Sequence, residues 1–144
     1  MNREVRKFII ENNLQPADGI IAKKIGYRVF DHYIIYIGYD YNDHWFMANS
    51  KSEGVRYYNE NEVVELVQKF EPVRIKKFEG NDFQRQEAVE RAASLQGKPY
   101  SLFGSNCEHF ANYVQYGVKE SRQVTNWVGV GLLALVIGTL AFGK

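Results

Sequence analysis

The only cysteine of this 144-residue chain, Cys107, lies in the segment Ser105-Asn106-Cys107-Glu108-His109-Phe110. Asn106 is a favourable N-cap, so a helix is predicted to begin at Cys107. The free N–H groups and the dipole of a first helical turn stabilise an anion, and therefore favour a thiolate at this position. The segment predicts a cysteine nucleophile. The alternative is that Cys107 is a small buried hydrophobic residue, since free cysteines are among the most buried residues.

A cysteine nucleophile needs a base, usually histidine, and the chain has three histidines. His109 follows Cys107 by two positions and points away from it on a helix, so it is predicted to be a structural or surface residue. His32 begins a strongly β-type run, His32-Tyr33-Ile34-Ile35-Tyr36-Ile37-Gly38, and is predicted to be the base. The helical spacing predicts that Glu108 and Asn112 face outward, and that one stripe faces the sheet: Cys107, Phe110, Ala111, Val114 and Val118.

A third residue could orient the imidazole of His32, and a predicted hairpin offers two candidates. A turn over Tyr39–Asp43, centred near Tyr41, places Tyr33 opposite Asn49 on the returning strand and leaves His32 beside that pair. His44 follows the turn directly, ~20 Å from the His32 end at ~3.3 Å per residue. We therefore predict Asn49 as the orienting residue and His44 as an exposed turn residue and the alternative. A Cys–His–Asn set is chemically adequate for nucleophilic catalysis.

The order of predicted elements indicates an α+β fold in which an antiparallel sheet packs against helices. A short amphipathic helix is predicted near Arg3–Glu11 and is followed by strands and the hairpin. Further predicted elements are a strand at Gly54–Tyr58, a helix from Asn59 to Phe70, a strand at Val73–Phe78, a helix opening at Asp82, and the Cys107 helix, ended by Gly117.

Composition excludes some functions. The net charge is +1, so there is no electrostatic case for binding nucleic acid. One cysteine and three scattered histidines form no zinc pattern, and neither a metal nor an organic cofactor is predicted. A lone cysteine and a charged N-terminus without an apolar stretch fit an intracellular domain.

Residues 127–142 are apolar or small, with Thr139 as the exception. This run is near the lower limit for a membrane-spanning helix. We predict a single C-terminal transmembrane anchor at residues 125–143 with the preceding domain on the cytoplasmic side, and the apolar tail could also support self-association. The alternative is a buried helix packed on the domain.

Several of these segments together resemble the lecithin:retinol acyltransferase family, which includes small membrane-anchored phospholipid acyltransferases and phospholipases. The resemblance rests on Asn106–Val114, on Tyr116–Val118, on the strand His32–Gly38 and on Gly97–Tyr100. It implies a circularly permuted papain-like fold in a catalytic domain at 16–122, after an N-terminal helical segment at 1–15.

The resemblance also implies a reaction: Cys107 takes an acyl chain from a glycerophospholipid as a thioester and passes it to water, an amine or an alcohol. Cys107 matches the nucleophile and His32 the base. His44 lies twelve positions after His32, the spacing of a second histidine in vertebrate members, whereas the hairpin register favours Asn49. Two other functions remain open: a cysteine peptidase or amidase of the same fold, and a non-catalytic membrane-remodelling protein.

Overall fold

The computed structural model of the chain describes residues 1–23, 31–67, 73–103 and 107–117. These residues form four α-helices, five strands and one short 3-10 helix. The helices are α1 (Arg3–Glu11), α2 (Glu60–Val67), α3 (Asp82–Ser94) and α4 (Cys107–Tyr116), and the 3-10 helix is Tyr100–Phe103. The strands are β1 (Gly19–Lys23), β2 (Asp31–Asp40), β3 (Asp43–Ser50), β4 (Gly54–Tyr58) and β5 (Val73–Lys76).

The five strands form one sheet in the order β4-β3-β2-β1-β5, and all neighbouring strands are antiparallel. The longest strand, β2, is central because its β-branched and aromatic side chains are buried on both faces. The predicted α+β class with an antiparallel sheet packed against helices is therefore confirmed for the described residues.

The β2–β3 hairpin has a shorter turn than the sequence indicates. Instead of a five-residue turn over Tyr39–Asp43, two residues connect the strands, Tyr41 and Asn42, with φ of 52° and 61°. Positive φ at both positions is typical of a type I′ turn, which matches the twist of the strands, so the ladder continues up to the turn. A bulge between Tyr36 and Gly38 then shifts the register, and Ile34 pairs with Ala48. Extended by one residue, this pairing sets Tyr33 opposite Asn49, the register that the sequence predicts.

The sheet separates two hydrophobic clusters, which we call the α2 face and the α4 face. The α2 face is covered by α1 and α2; its buried sheet residues are Ile20, Ala22, Ile34, Tyr36, Phe46, Ala48 and Tyr58. The α4 face is covered by α3 and α4; its buried sheet residues are Ile35, Met47 and Val55. Burial on both faces fixes the register of the hairpin, because a slip of one residue would exchange the two sets.

A buried carboxylate, Glu60, joins the elements on the α2 face at the turn end of the hairpin. Its side chain is 1 % exposed and accepts hydrogen bonds from the backbone N–H groups of Asn2 (2.6 Å) and His44 (3.0 Å). The Arg6 guanidinium donates to both carboxylate oxygens, at 3.1 and 2.9 Å from Nε. Burial opposes the charge, but these donors outweigh it and lower the pKa of Glu60 from 4.5 to about 2.

Candidate active site

Helix α4 begins at Cys107, as the sequence predicts. Its end is also as predicted: Gly117 follows Tyr116 with a φ of 78°, and its N–H donates to the carbonyl of Tyr113 at 2.7 Å. The predicted stripe is confirmed where it is described, because Phe110, Ala111 and Val114 are buried on the α4 face. The predicted N-cap, Asn106, and Val118 lie outside the described residues. The backbone thus places Cys107 in the first turn of a helix that packs on β2 and β3.

One helix residue departs from the prediction. Asn112 was expected to face solvent, but it is 3 % exposed. Its Oδ1 accepts a hydrogen bond from Nζ of Lys76 on β5 at 3.1 Å. The prediction is wrong because the edge strand β5 covers this flank of α4, a long-range contact that helical periodicity does not report.

Asn49 lies on β3 and is 2 % exposed. It pairs with Val55, whose side chain is buried on the α4 face, so Asn49 points to the side of the sheet on which α4 lies. Its Nδ2 donates to the backbone carbonyl of Tyr100 at 3.1 Å. Because a carbonyl only accepts, this bond fixes the amide orientation and leaves Oδ1 as the remaining acceptor. Oδ1 is buried and has no hydrogen-bond partner among the described residues.

The contact that holds Asn49 is absent from the sequence prediction. The segment before Tyr100 adds to the edge of β4: the N–H of Val55 donates to the carbonyl of Lys98 (3.0 Å), and the N–H of Gly97 donates to the carbonyl of Val55 (2.8 Å). Gly54, with a φ of 72°, makes this approach possible, because a Cβ there would collide with the Lys98 carbonyl oxygen. A main-chain carbonyl carries no residue-type signal, so the sequence could not have identified the Tyr100 contact.

His32 is the second residue of β2 and is half-buried. It lies at the same end of the sheet as Asn49, because Tyr33 falls opposite Asn49. Its direct partner on β1 is Ala22, which is buried on the α2 face. Since directly opposed residues point to the same face, the Cβ of His32 also points toward the α2 face. The structure brings His32 and Asn49 to one end of the hairpin, and shows no hydrogen bond from His32 to Asn49 Oδ1.

His44 differs from the predicted exposed turn residue. It is a half-buried residue of β3 opposite Tyr39, seven residues along β2 from His32, which corresponds to ~23 Å. Its Nδ1 lies 2.6 Å from the Tyr36 hydroxyl. Burial lowers the pKa of His44 and raises that of Tyr36 to about 12, so burial favours the neutral forms of both groups, and the imidazole tautomer determines which of them donates. This geometry favours Asn49 over His44 as the residue near His32.

His109 is half-buried in α4. Within the four described ranges, no group of three His, Cys, Asp or Glu side chains is arranged to hold a metal ion.

The family model described as lecithin retinol acyltransferase matches residues 12–120. That range holds both strands of the hairpin, the Tyr100 segment and α4. The chain belongs to the lecithin retinol acyltransferase family. The resemblance carried by the His32 strand and the Cys107 helix is thereby confirmed at the level of the family.

Among characterised proteins, the chain is similar to the human phospholipase A and acyltransferase 2, with 51 % identity over 53 residues. The match covers 32 % of this chain and 33 % of that protein. It is also similar to the mouse phospholipase A and acyltransferase 3, at 46 % identity over 55 residues, or 33 % of this chain and 34 % of that protein. The human phospholipase A and acyltransferase 3 is 36 % identical over 64 residues, 39 % of this chain and 40 % of that protein. The chain thus spans about a third of the length of the relatives it matches. No solved structure matches it.

The predicted anchor at 125–143 lies outside the described residues. Within the part of the chain that is described, none of the helices has the length and apolar character needed to cross a bilayer.

Proposed function

We propose that this protein is a thiol-dependent acyltransferase or hydrolase that acts on the acyl esters of glycerophospholipids through a thioester on Cys107. His32 is the proposed general base and Asn49 the residue that orients it. Membership of the family and the names of the matched relatives, phospholipase A and acyltransferase, support the reaction class. The circularly permuted papain-like arrangement is part of the same proposal.

The observation that carries the proposal furthest is the unfilled acceptor of Asn49. Burying an amide oxygen without a partner costs about 1–3 kcal/mol, so an unsatisfied group of this kind calls for an explanation. Asn49 lies on the α4 side of the sheet, and Cys107 follows its partner Tyr100 by seven positions. An imidazole N–H is a suitable donor to the free Oδ1.

In the first half-reaction, His32 removes the proton of the Cys107 thiol, and the thiolate attacks the carbonyl carbon of a lipid ester. The dipole of α4, whose positive end lies at Cys107, favours the negative charge of the oxyanion. The bond between the carbonyl carbon and the glycerol oxygen breaks, and His32 returns its proton to that oxygen. The products are a lysophospholipid and an acyl thioester.

In the second half-reaction, His32 takes a proton from the acceptor, which is water, an amine or an alcohol. The acceptor attacks the thioester carbonyl and the carbon–sulfur bond breaks. The thiolate of Cys107 recovers the proton from His32. Water yields a fatty acid, whereas an amine or alcohol yields an amide or ester.

The mechanism has one geometric requirement. The imidazole of His32, which the register directs toward the α2 face, has to turn at the end of β2 toward the α4 side, where Asn49 and α4 lie. A strand end allows such a rotation more readily than a strand centre, because fewer cross-strand neighbours surround it.

The proposal is tested by intact-mass analysis after incubation with phospholipid vesicles. We expect one acyl adduct, which neutral hydroxylamine removes because it is a thioester. Cys107 is the only thiol, so Cys107→Ser should abolish the adduct while the thermal unfolding midpoint stays unchanged. Lipid turnover by Cys107→Ser at the wild-type rate would refute the thioester route. Cleavage of peptides with no transfer from lipid would favour the peptidase function instead.

The role of Asn49 has its own test. Asn49→Ala should lower the acylation rate on the order of 10²-fold, since a misplaced base is costly to a reaction that depends on orientation. It should also shift the pH profile of acylation, which a purely structural residue would leave unchanged. Asn61→Ala, an exposed asparagine on α2, is the matched control. Wild-type acylation with an unchanged pH profile in Asn49→Ala would exclude Asn49 as the orienting residue.

The lipid substrate also suggests where the protein acts. We propose that residues 125–143 attach it to a membrane, with the domain on the cytoplasmic side. Flotation of the full chain with liposomes should occur, and deletion of residues 125–143 should abolish it. Equal flotation of both chains would refute the anchor.

A further inference from the structure

Lys76 carries a half-buried ammonium group that takes no part in the proposed mechanism. Lys76 is on the edge strand β5 and is half-buried against α4. Its Nζ donates to Asn112 Oδ1 at 3.1 Å and lies 4.8 Å from the ring centroid of Tyr116. No carboxylate of the described residues lies within ion-pairing distance of Nζ. An ammonium carries three donors, so N–H groups remain available for a ligand.

The amide of Asn112 adds a second donor group at the same place. Since the ammonium can only donate, it fixes Oδ1 toward Lys76, and Nδ2 points away from it. Asn112 is 3 % exposed. A nearly buried amide, whose N–H groups point away from the ammonium, thus lies beside a half-buried cation.

Lys76 lies among charges of both signs. Burial lowers the pKa of Lys76, and the carboxylates of Glu108 and Glu79 act in the opposite direction from a longer distance. Arg74, two residues earlier on the same face of β5, is a second nearby cation and lowers this pKa further. Side chains of both signs surround a donor cluster, which is an environment suited to a zwitterionic group rather than to a free multivalent anion.

A purely structural role is the competing explanation, because lysine on an edge strand discourages pairing with other chains. An exposed lysine would serve that purpose equally well. Lys76 is instead folded against the helix that begins at Cys107, next to a buried amide.

We propose that Lys76 and Asn112 bind the phosphate of a phospholipid headgroup, and thereby position the lipid relative to α4. This inference rests on the proposed function, since it identifies the part of the substrate held at one flank of the same helix. Asn112 is five residues from Cys107, or ~7.5 Å along the helix axis. The phosphate and the ester carbonyls of a glycerophospholipid are separated by a comparable span, because only part of the glycerol unit lies between them.

Binding is measured directly on the Cys107→Ala protein, which cannot turn the lipid over. The probe is the Asn112 side-chain amide in ¹⁵N NMR spectra, titrated separately with inorganic phosphate, with glycerophosphocholine and with phosphatidylcholine micelles. We expect glycerophosphocholine and the micelles to shift this amide and Lys76→Gln to abolish both shifts. A response to inorganic phosphate alone would identify a free-phosphate site and overturn the headgroup assignment. A response to micelles alone would indicate contact with hydrocarbon, and no response would refute the site; either outcome overturns the proposal.

Kinetics separate this proposal from the mechanism. Lys76→Gln should raise KM for phosphatidylcholine about tenfold, as expected for the loss of one charge-assisted contact, and leave kcat within a factor of two. Lys76→Arg should restore KM because it retains the charge, and Lys7→Gln, an exposed lysine on α1, should leave KM unchanged. A fall in kcat at constant KM would overturn the proposal. Absence of an acyl adduct in the wild-type protein would refute the thioester mechanism while leaving the binding measurement interpretable.

Discussion

Replacing Glu60 by Gln tests how the hairpin is held in place. The substitution keeps the shape of the side chain but removes its charge and turns one acceptor oxygen into an NH2 group. Among the described residues, all groups that contact this carboxylate are donors: the N–H groups of Asn2 and His44 and the guanidinium of Arg6. The new NH2 group therefore faces a donor whichever way the amide is turned, and Arg6 loses its buried partner.

Two independent estimates of the cost agree. A carboxyl whose pKa falls from 4.5 to about 2 on folding contributes about 3 kcal/mol at neutral pH, at ~1.4 kcal/mol for each pH unit. Removal of one partner from a buried ion pair costs about 3–5 kcal/mol in other proteins. We therefore expect Glu60→Gln to lower the free energy of unfolding by about 3 kcal/mol at pH 7.

The assay is urea denaturation of wild type and Glu60→Gln from pH 7 to pH 3. Because the folded pKa lies below the unfolded one, the contribution of Glu60 is complete above about pH 4.5 and is lost as pH falls toward about 2. The difference between the two proteins should therefore be about 2 kcal/mol smaller at pH 3 than at pH 7. Glu65→Gln, an exposed glutamate of the same helix, should change stability by less than about 0.5 kcal/mol. A difference below about 1 kcal/mol at pH 7, or one that is independent of pH, would refute the reasoning.

Three further substitutions test local contacts. Gly54→Ala should push the Lys98 carbonyl away from β4 and so lower both the thermal unfolding midpoint and the acylation rate. An unchanged acylation rate would show that the position of the Tyr100 segment does not depend on the contact between Gly54 and Lys98. Arg91 donates to the carbonyls of Tyr113 and Val114 near the end of α4 at 2.7 to 3.3 Å. Arg91→Met should therefore lower the free energy of unfolding in urea by about 1–2 kcal/mol, and a loss under about 0.5 kcal/mol would contradict this capping role. Tyr36→Phe removes the hydrogen-bond partner of His44 Nδ1 and should lower the free energy of unfolding by about 1 kcal/mol at pH 7 in the same measurement, whereas equal stability would mean that water replaces the hydroxyl.

The individual helices and strands were predictable because side-chain periodicity and helix capping act over only a few residues. The helix at Arg3–Glu11 follows from its apolar spacing, and Asn2 caps it by accepting from the N–H of Val5 at 3.1 Å. Strand β2 follows from its β-branched and aromatic run. The turn length was not predictable from turn-forming residues alone, because Tyr39 and Asp43 continue the ladder once a two-residue turn closes it.

The parts of the candidate site that escaped prediction depend on contacts distant in sequence. The burial of Asn112 requires β5, and the fixed amide of Asn49 requires a main-chain carbonyl 51 residues away. His44 looked like a turn residue, yet it belongs to a hydrogen-bonded pair with Tyr36 that only the hairpin register creates. Residue type predicted which side chains could take part in chemistry, and tertiary structure determined which of them lie together.

The turn end of the hairpin and the proposed site at its other end are linked through register. A slip of one residue between β2 and β3 would move Asn49 from the α4 side to the α2 face. Two features at the turn end oppose such a slip: the type I′ turn at Tyr41 and Asn42, and Glu60, which accepts from the N–H of His44 and donates its own N–H to Asp43 at 3.1 Å. Glu60 therefore does more than add stability, because it secures the strand pairing that directs the free oxygen of Asn49 toward the side of the sheet on which the Cys107 helix packs.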